Sequence, residues 1–277
     1  MNTEKNVTLV LYTSQRTRYI LLGLITLAVA WWWGSKSPLP QDLSYHNFAD
    51  QRRILAITNG LDVLSNLAFL IVGIWGLVIV LNKEGQERRF LDPMEKISYL
   101  VFFAGTTLVS VGSAYYHLSP NNGTLVWDRL PMTIGFVAFF ISVIMERISI
   151  KVGLLALMPA LIIGAATVFY WSWTESQGRG DLRPYAFVQS YPIFAVAAMM
   201  VLFPARYTGS INLLLVLVFY ILAKQLESND EAIFAGTGGI VSGHTLKHLS
   251  AAIAIGWFVR MVKNRGPIHR PGSGHVD

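Results

Sequence analysis

The chain has 277 residues, of which 53% are hydrophobic and only 14% are charged, whereas an ordinary soluble domain carries about 25% charged residues. This composition excludes a soluble globular protein, because no soluble core could enclose so many apolar residues. The net charge of +6 does not require a nucleic acid partner, since basic residues in short loops also set the orientation of membrane proteins. The absence of cysteine excludes disulfides and thiolate metal sites.

Apolar stretches of about twenty residues recur along the chain, and each is long enough to cross a bilayer as a helix. We therefore predict an all-α, polytopic membrane bundle that forms a single integral membrane domain over residues 1–277. The predicted spans are residues 18–34, 61–81, 97–117, 130–146, 152–172, 185–203, 210–225 and 238–262. The turn-forming residues of 118–127 predict a loop, and the composition of 263–277 predicts a disordered tail.

The first span has two interpretations. A basic start, an apolar centre and an Ala-x-Ala-like end before Trp31 are typical of a cleaved signal peptide. The three tryptophans at 31–33 favour a retained helix, because tryptophan anchors helices at the membrane interface. Cleavage would leave seven spans in the same orientation.

The distribution of basic residues predicts the orientation. Of the 22 Lys and Arg residues, fourteen lie on the side of the N-terminus, seven lie on the opposite side and Lys247 lies within a span. Because cytoplasmic loops carry the excess of Lys and Arg, we expect both termini to be cytoplasmic.

Ionisable side chains at membrane depth are costly and mark candidate functional sites. Ser113 and His117 share one face at the end of the third span, because residues four apart on a helix are neighbours. His244 and His248 have the same spacing in the last span, and Asp128 precedes the fourth. In the predicted orientation all of them arrive at the non-cytoplasmic half of the bilayer. We predict that these five residues form one buried metal site.

Each of these residues also has a simpler interpretation. His117 could be an interfacial histidine, Asp128 could cap a helix N-terminus, and Ser113 could allow close helix packing. A His-x-x-x-His pair occurs by chance in many helices. Lys247 is predicted to point away from the histidine face and to contact a lipid head group, and Lys224 and Glu227 are predicted to form a local ion pair.

Three neutral imidazoles without a thiolate suit zinc with a fourth position for water, although iron and copper also accept imidazole. The protease motif His-Glu-x-x-His is absent, because Thr245 and Leu246 follow His244. A general base must come from elsewhere, and Asp128 is the candidate.

The pattern Ser113-x-x-x-His117, Asp128, His244-x-x-x-His248 resembles the alkaline ceramidases. This family belongs to a superfamily of seven-span proteins that also contains the progestin and adiponectin receptors. Supporting stretches are Val-Leu-Ser-Asn-Leu, Leu-Ala-Lys-Gln-Leu-Glu and Ser-Gly-His-Thr-Leu-Lys-His-Leu. The resemblance covers roughly residues 45–262 and implies a seven-helix core there, with residues 1–44 forming an added span and loop and residues 263–277 the tail.

The resemblance also implies roles for the site residues. His117, His244 and His248 would hold Zn²⁺, and Ser113 and Asp128 would be catalytic through contacts with the zinc-bound water. The implied function is a zinc-dependent intramembrane amide hydrolase that cleaves ceramide-like lipids to a fatty acid and a sphingoid base. A zinc-containing receptor or lipid sensor without turnover is the alternative, and a transporter is a third possibility.

The chain departs from the family at one point. Animal alkaline ceramidases also hold calcium with several acidic residues before and within the first core helix. The matching region here, residues 45–60, offers only Asp50 as an acid, and Arg52 and Arg53 would repel a cation. Asn47 and Asn59 are neutral. Because calcium sites commonly include several carboxylates, calcium binding is doubtful.

Overall fold

The computed structural model describes residues 13–268, and that part of the chain is all-α, with no strands. The α-helices are α1 (Gln15–Gly34), α2 (Gly60–Ser65), α3 (Leu67–Leu81), α4 (Gln86–Arg89), α5 (Lys96–Leu118), α6 (Asn122–Arg147), α7 (Ile150–Ser176), α8 (Arg183–Leu202), α9 (Asn212–Ser228), α10 (Asp230–Gly236) and α11 (Gly243–Asn264). Short 3₁₀ helices cover Leu43–His46 and Pro93–Glu95. The predicted fold class is confirmed.

Within the described residues, five helical segments are long and apolar enough to cross a membrane. They are Gly60–Leu81, which joins α2 and α3, together with Pro93–Leu118, Asn122–Arg147, Ile150–Ser176 and Arg183–Leu202. Helices α1, α9 and α11 occupy the three remaining predicted positions. These five segments make the chain an integral membrane protein.

The helices pack as a bundle with α5, α6 and α11 near its centre. Helix α5 lies between α3 and α6, α11 packs against α9 and α3, and α6 also contacts α7 and α8. The main core is built from aromatic side chains, with Phe258 of α11 in ring contact with Phe102 and Phe139. This arrangement places the end of α5 beside the beginnings of α6 and α11.

The outer surface of the bundle is apolar. Leu155, Met158 and Ile162 of α7 are each more than half exposed, and so is Ile71 of α3. Exposed apolar faces of this extent are typical of a surface in contact with lipid. Helix α1 has no buried residues and is attached to α8 by hydrogen bonds from Trp33 to Ser190 (2.9 Å) and between Thr26 and Tyr191 (2.8 Å).

Two sequence predictions about connecting segments are wrong. Residues 122–127 belong to α6 rather than to a loop, because Asn121 and Thr124 form a capping box that starts the helix there. The predicted disordered tail begins with ordered residues, since 263–264 end α11 and the Arg265 side chain is buried. Its guanidinium lies against Glu146 and Glu95. Residues 269–277, including His269 and His275, lie outside the described residues.

Candidate metal centre

The three predicted histidines converge in the structure. His117 lies in the last turn of α5, and His244 and His248 lie in the first two turns of α11. One nitrogen of each ring lies within 4.8 Å of the others, and all three side chains are buried. Ring nitrogens at this separation can share one ion between them.

The polar atoms of His117 support a ligand at this point. Neither Nδ1 nor Nε2 of His117 has a hydrogen-bond partner among the described residues, and both atoms are shielded from solvent. A buried polar group without a partner is costly and rare in folded proteins. A metal ion between the three rings would provide a partner for one of these two nitrogens, and a set of three imidazoles fits zinc. The residues therefore fit a bound metal ion.

Residues from one neighbouring segment make polar contacts with His117 and His248. Asn59 Nδ2 donates to the backbone oxygen of His117 over 2.8 Å. Ser65 Oγ lies 2.7 Å from Nδ1 of His248. These supporting residues come from the segment before α2 and from α2 itself, which packs against α5 and α11.

Two aspartates hold the N-terminus of α11, the buried Asp62 and the half-buried Asp230. Asp230 accepts a hydrogen bond from the backbone N–H of His244 over 2.7 Å. Asp62, which is fully buried, accepts one from Thr245 Oγ1 over 2.5 Å and one from the N-cap residue Ser242 over 3.3 Å. Neither aspartate could be identified from the sequence, because their spacing from the histidines carries no local pattern.

Ser113 and Asp128 lie together beside the histidines. The Ser113 hydroxyl is within hydrogen-bonding reach of the Asp128 carboxylate, and both side chains line the same cavity as His248. Asp128 is in the second turn of α6, so its interpretation as a helix N-cap is wrong, because Asn121 performs that role. The Asp128 carboxylate therefore faces the cavity rather than capping the helix.

A close approach of two backbones brings this pair together. A Cβ atom on Gly112 would lie 2.1 Å from the backbone oxygen of Trp127. That oxygen is the one that Pro131, four residues later in α6, leaves without its helical hydrogen bond. Only glycine at position 112 lets α5 and α6 meet at this depth.

A second cluster of charges adjoins the histidines. Lys247 Nζ donates to Glu227 Oε1 over 2.8 Å and lies 3.0 Å from Nε2 of His244. Glu227 also forms the predicted ion pair with Lys224 and accepts a hydrogen bond from the Tyr45 hydroxyl over 3.0 Å. The prediction that Lys247 points away from the histidines is wrong, because residues three apart also share a helix face.

A cavity of about 260 Å³ opens beside the histidines. Its polar end includes Ser113, Asp128 and His248, and its remaining walls are mainly apolar, with Phe102, Phe139 and other core side chains. Phe48 covers the opposite side of the centre, with its ring 4.6 Å from those of both His117 and His244. A mostly apolar cavity with one polar end suits an amphipathic ligand.

The region expected to lack calcium is organised around Arg52. Its guanidinium binds both oxygens of Asp50 over 2.7 Å and also donates to the backbone oxygen of Ile240 over 2.8 Å. These hydrogen bonds hold the pKa of the Asp50 carboxyl below its usual value. Asn59 is engaged with His117. Residues 45–60 do not fit a calcium site, because their one acid, Asp50, has both carboxylate oxygens bound by the Arg52 guanidinium.

The fold and the site define an integral membrane protein with a three-histidine candidate metal centre, a neighbouring serine–aspartate pair and an amphipathic cavity. The sequence model of the ceramidase family matches residues 52–232, more than half of the chain, and the chain belongs to this family. Membership implies hydrolysis of an amide bond in a lipid substrate. The matched residues include Ser113, His117 and Asp128 and end before His244 and His248. No curated protein matches the chain.

Proposed function

We propose that this protein is a zinc-dependent amide hydrolase that cleaves ceramide-like lipids within the membrane to a fatty acid and a sphingoid base. The observation that carries the proposal is the convergence of three buried imidazoles, one of them without any other partner, beside Ser113 and Asp128. Family membership supports the amide bond as the reacting group. The orientation predicted from basic residues places this site in the non-cytoplasmic half of the bilayer.

In this proposal His117, His244 and His248 hold the zinc ion. Zinc, when bound, lowers the pKa of a coordinated water and polarises the amide carbonyl. Asp128 accepts the proton of the attacking water and passes it to the nitrogen of the departing amine. Ser113 donates a hydrogen bond to the oxygen on which negative charge develops.

The cavity around the site is suited to binding a lipid and to excluding water from the reacting atoms. The apolar walls of the cavity exclude water and accommodate an alkyl chain. Burial strengthens the electrostatic contribution of each polar group near the reacting atoms, because the local dielectric is low. Ser113 and Asp128 line the same cavity, so both can act on one substrate bound there.

Hydrolysis of purified ceramides tests the proposal. Protein loaded with zinc should release free amine, and Asp128→Asn should keep its zinc while losing about 10²–10⁴-fold in kcat. Ser113→Ala should lose about 10²–10³-fold. Asp42→Asn, which changes an exposed carboxylate, serves as the matched control and should keep full activity. A zinc-loaded wild type that releases no amine from ceramides of any chain length would contradict the proposal.

A further inference from the structure

A buried arginine lies in the wall of the cavity. Arg129 follows Asp128 in α6, is 6% exposed and lines the cavity together with Ser113 and His248. Its Nη2 donates to Gln41 Oε1 over 2.6 Å. Its guanidinium carbon lies 4.0 Å from the ring centre of Trp171 and 4.8 Å from that of Tyr185. The aromatic rings hold the guanidinium in place.

This guanidinium has no ion-pair partner among the described residues. Among residues 13–268, no carboxylate forms an ion pair with Arg129, and its Nη1 atom has no hydrogen-bond partner. The adjacent Asp128 attracts Arg129 electrostatically, but its carboxylate interacts directly with Ser113 of α5 and forms no ion pair with the guanidinium. A buried charge is costly unless it is paired, and neither an amide nor aromatic rings neutralise it.

The other charges around the cavity do not remove the imbalance. Lys224 and Lys247 share a single carboxylate, that of Glu227. With Asp128 and Arg129, the cavity wall carries three cations against two carboxylates, and a metal ion at the histidines adds more positive charge. The polar end of the cavity is therefore electropositive.

We propose that Arg129 binds an acidic group on the substrate, so that the preferred substrates are lipid amides with a carboxylate or phosphate in the head portion. This inference rests on the proposed amide hydrolysis and specifies its substrate class. Guanidinium forms paired hydrogen bonds with both kinds of acid, and the unpartnered Nη1 is available for one of them. An uncharged ceramide leaves this cation without a partner.

Matched substrates test the preference. A ceramide, its 1-phosphate and an N-acyl amino acid, all with the same acyl chain, are compared in nonionic micelles with zinc-loaded protein. The wild type should show a higher kcat/KM for at least one acidic substrate than for the ceramide. Arg129→Gln should lower kcat/KM for that substrate, chiefly through KM, by a factor about 10–100 times larger than for the ceramide. Arg129→Lys should restore part of the loss.

The control is Arg179, an exposed arginine that follows the end of α7. Arg179→Gln should behave as wild type. Equal kcat/KM for the ceramide and both acids in the wild type would overturn the inference. So would an Arg129→Gln variant that loses the same factor on all three substrates, since a structural role alone predicts that result. Comparison of the two acids shows whether carboxylate or phosphate is the group recognised.

A binding measurement separates this inference from the proposed function. The thermal stabilisation of the protein by hexadecyl phosphate and by hexadecanoate is compared with that by hexadecanol. At least one of the acids should stabilise the wild type more than hexadecanol does, and Arg129→Gln should lose the difference. If no amide is hydrolysed but this difference depends on Arg129, the hydrolase assignment fails while acid recognition stands. If neither acid stabilises the protein more than the alcohol, acid recognition fails whatever the hydrolysis result.

Discussion

The hydroxyl of Ser65 accepts a hydrogen bond from Nδ1 of His248 over 2.7 Å. The single hydrogen of that hydroxyl is already donated to the backbone oxygen of Asp62 over 2.9 Å, so the hydrogen between Ser65 and His248 belongs to the imidazole. The proton on Nδ1 leaves the lone pair of His248 on Nε2. Ser65 thereby selects the form of this ring that can bind a metal.

Removal of this contact should weaken metal binding. Ser65→Ala should lower zinc affinity about 10–100-fold, the usual effect of losing a residue that orients a metal-binding histidine. Competition with a zinc chelator of known affinity measures the change. Ser142→Ala is the matched control, since Ser142 is buried and bonds only within its own helix. Unchanged zinc affinity in Ser65→Ala would show that Ser65 does not orient His248.

The contact between α5 and α6 should tolerate no side chain at position 112. Gly112→Ala places a Cβ against the Trp127 backbone oxygen, which forces the two helices apart where Ser113 and Asp128 meet. We expect a loss of activity of at least about 10-fold, because misplacing a reacting group by about 1 Å costs up to about 10²-fold. Gly23→Ala, with no atom near its new Cβ, should leave activity unchanged. A fully active Gly112→Ala would contradict this reading of the helix contact.

Calcium should not influence the protein. The Arg52 guanidinium donates hydrogen bonds to both oxygens of Asp50. A calcium ion could bind this carboxylate only if these hydrogen bonds were broken. Activity and thermal stability should be the same in excess calcium and in a calcium-selective chelator, with zinc held constant by a metal buffer. A rise in the melting temperature with added calcium would contradict the assignment of Arg52 to this position.

The end of α11 should depend on a buried cation. Arg265 is fully buried, donates to Tyr99 over 2.6 Å and lies 3.3 Å from Glu146. Arg265→Gln leaves the buried Glu146 carboxylate without its ion-pair partner, and removal of one partner from such a pair costs about 3–5 kcal/mol. Thermal or denaturant unfolding in detergent measures this loss. Lys263→Gln, at an exposed position, is the control and should change the free energy of unfolding by less than about 0.5 kcal/mol. Equal effects of the two variants would show that the buried Arg265 does not stabilise the end of α11.

Much of the fold and the central histidines could be predicted from the sequence, because both follow from local patterns. The length of the apolar stretches locates the helices, and the four-residue spacing of His244 and His248 places both rings on one face. The proximity of these two histidines to His117 was predicted because all three lie at a similar depth in the membrane. That depth follows from the order of the spans and from the distribution of basic residues.

The remaining parts of the site depend on contacts between distant segments. Ser65, Asp62 and Asp230 are ordinary polar residues in the sequence, and only the folded chain places them against α11. The early start of α6 had a local signal, since Asn121 and Thr124 have capping-box spacing, but the neighbouring turn formers favoured a loop. From the sequence, Arg129 could be used only as one of the basic residues that predict membrane orientation. Nothing in the sequence shows that its side chain is buried without an ion-pair partner.

The zinc content of purified protein tests the central claim most directly. The wild type should contain about one zinc per chain, and His244→Ala should contain almost none. His46→Ala is the matched control and should retain zinc, because both ring nitrogens of His46 already have partners, Tyr116 and Asn122, each at 2.9 Å. Equal zinc in the wild type and in His244→Ala, with both proteins folded, would contradict a metal centre at these three histidines.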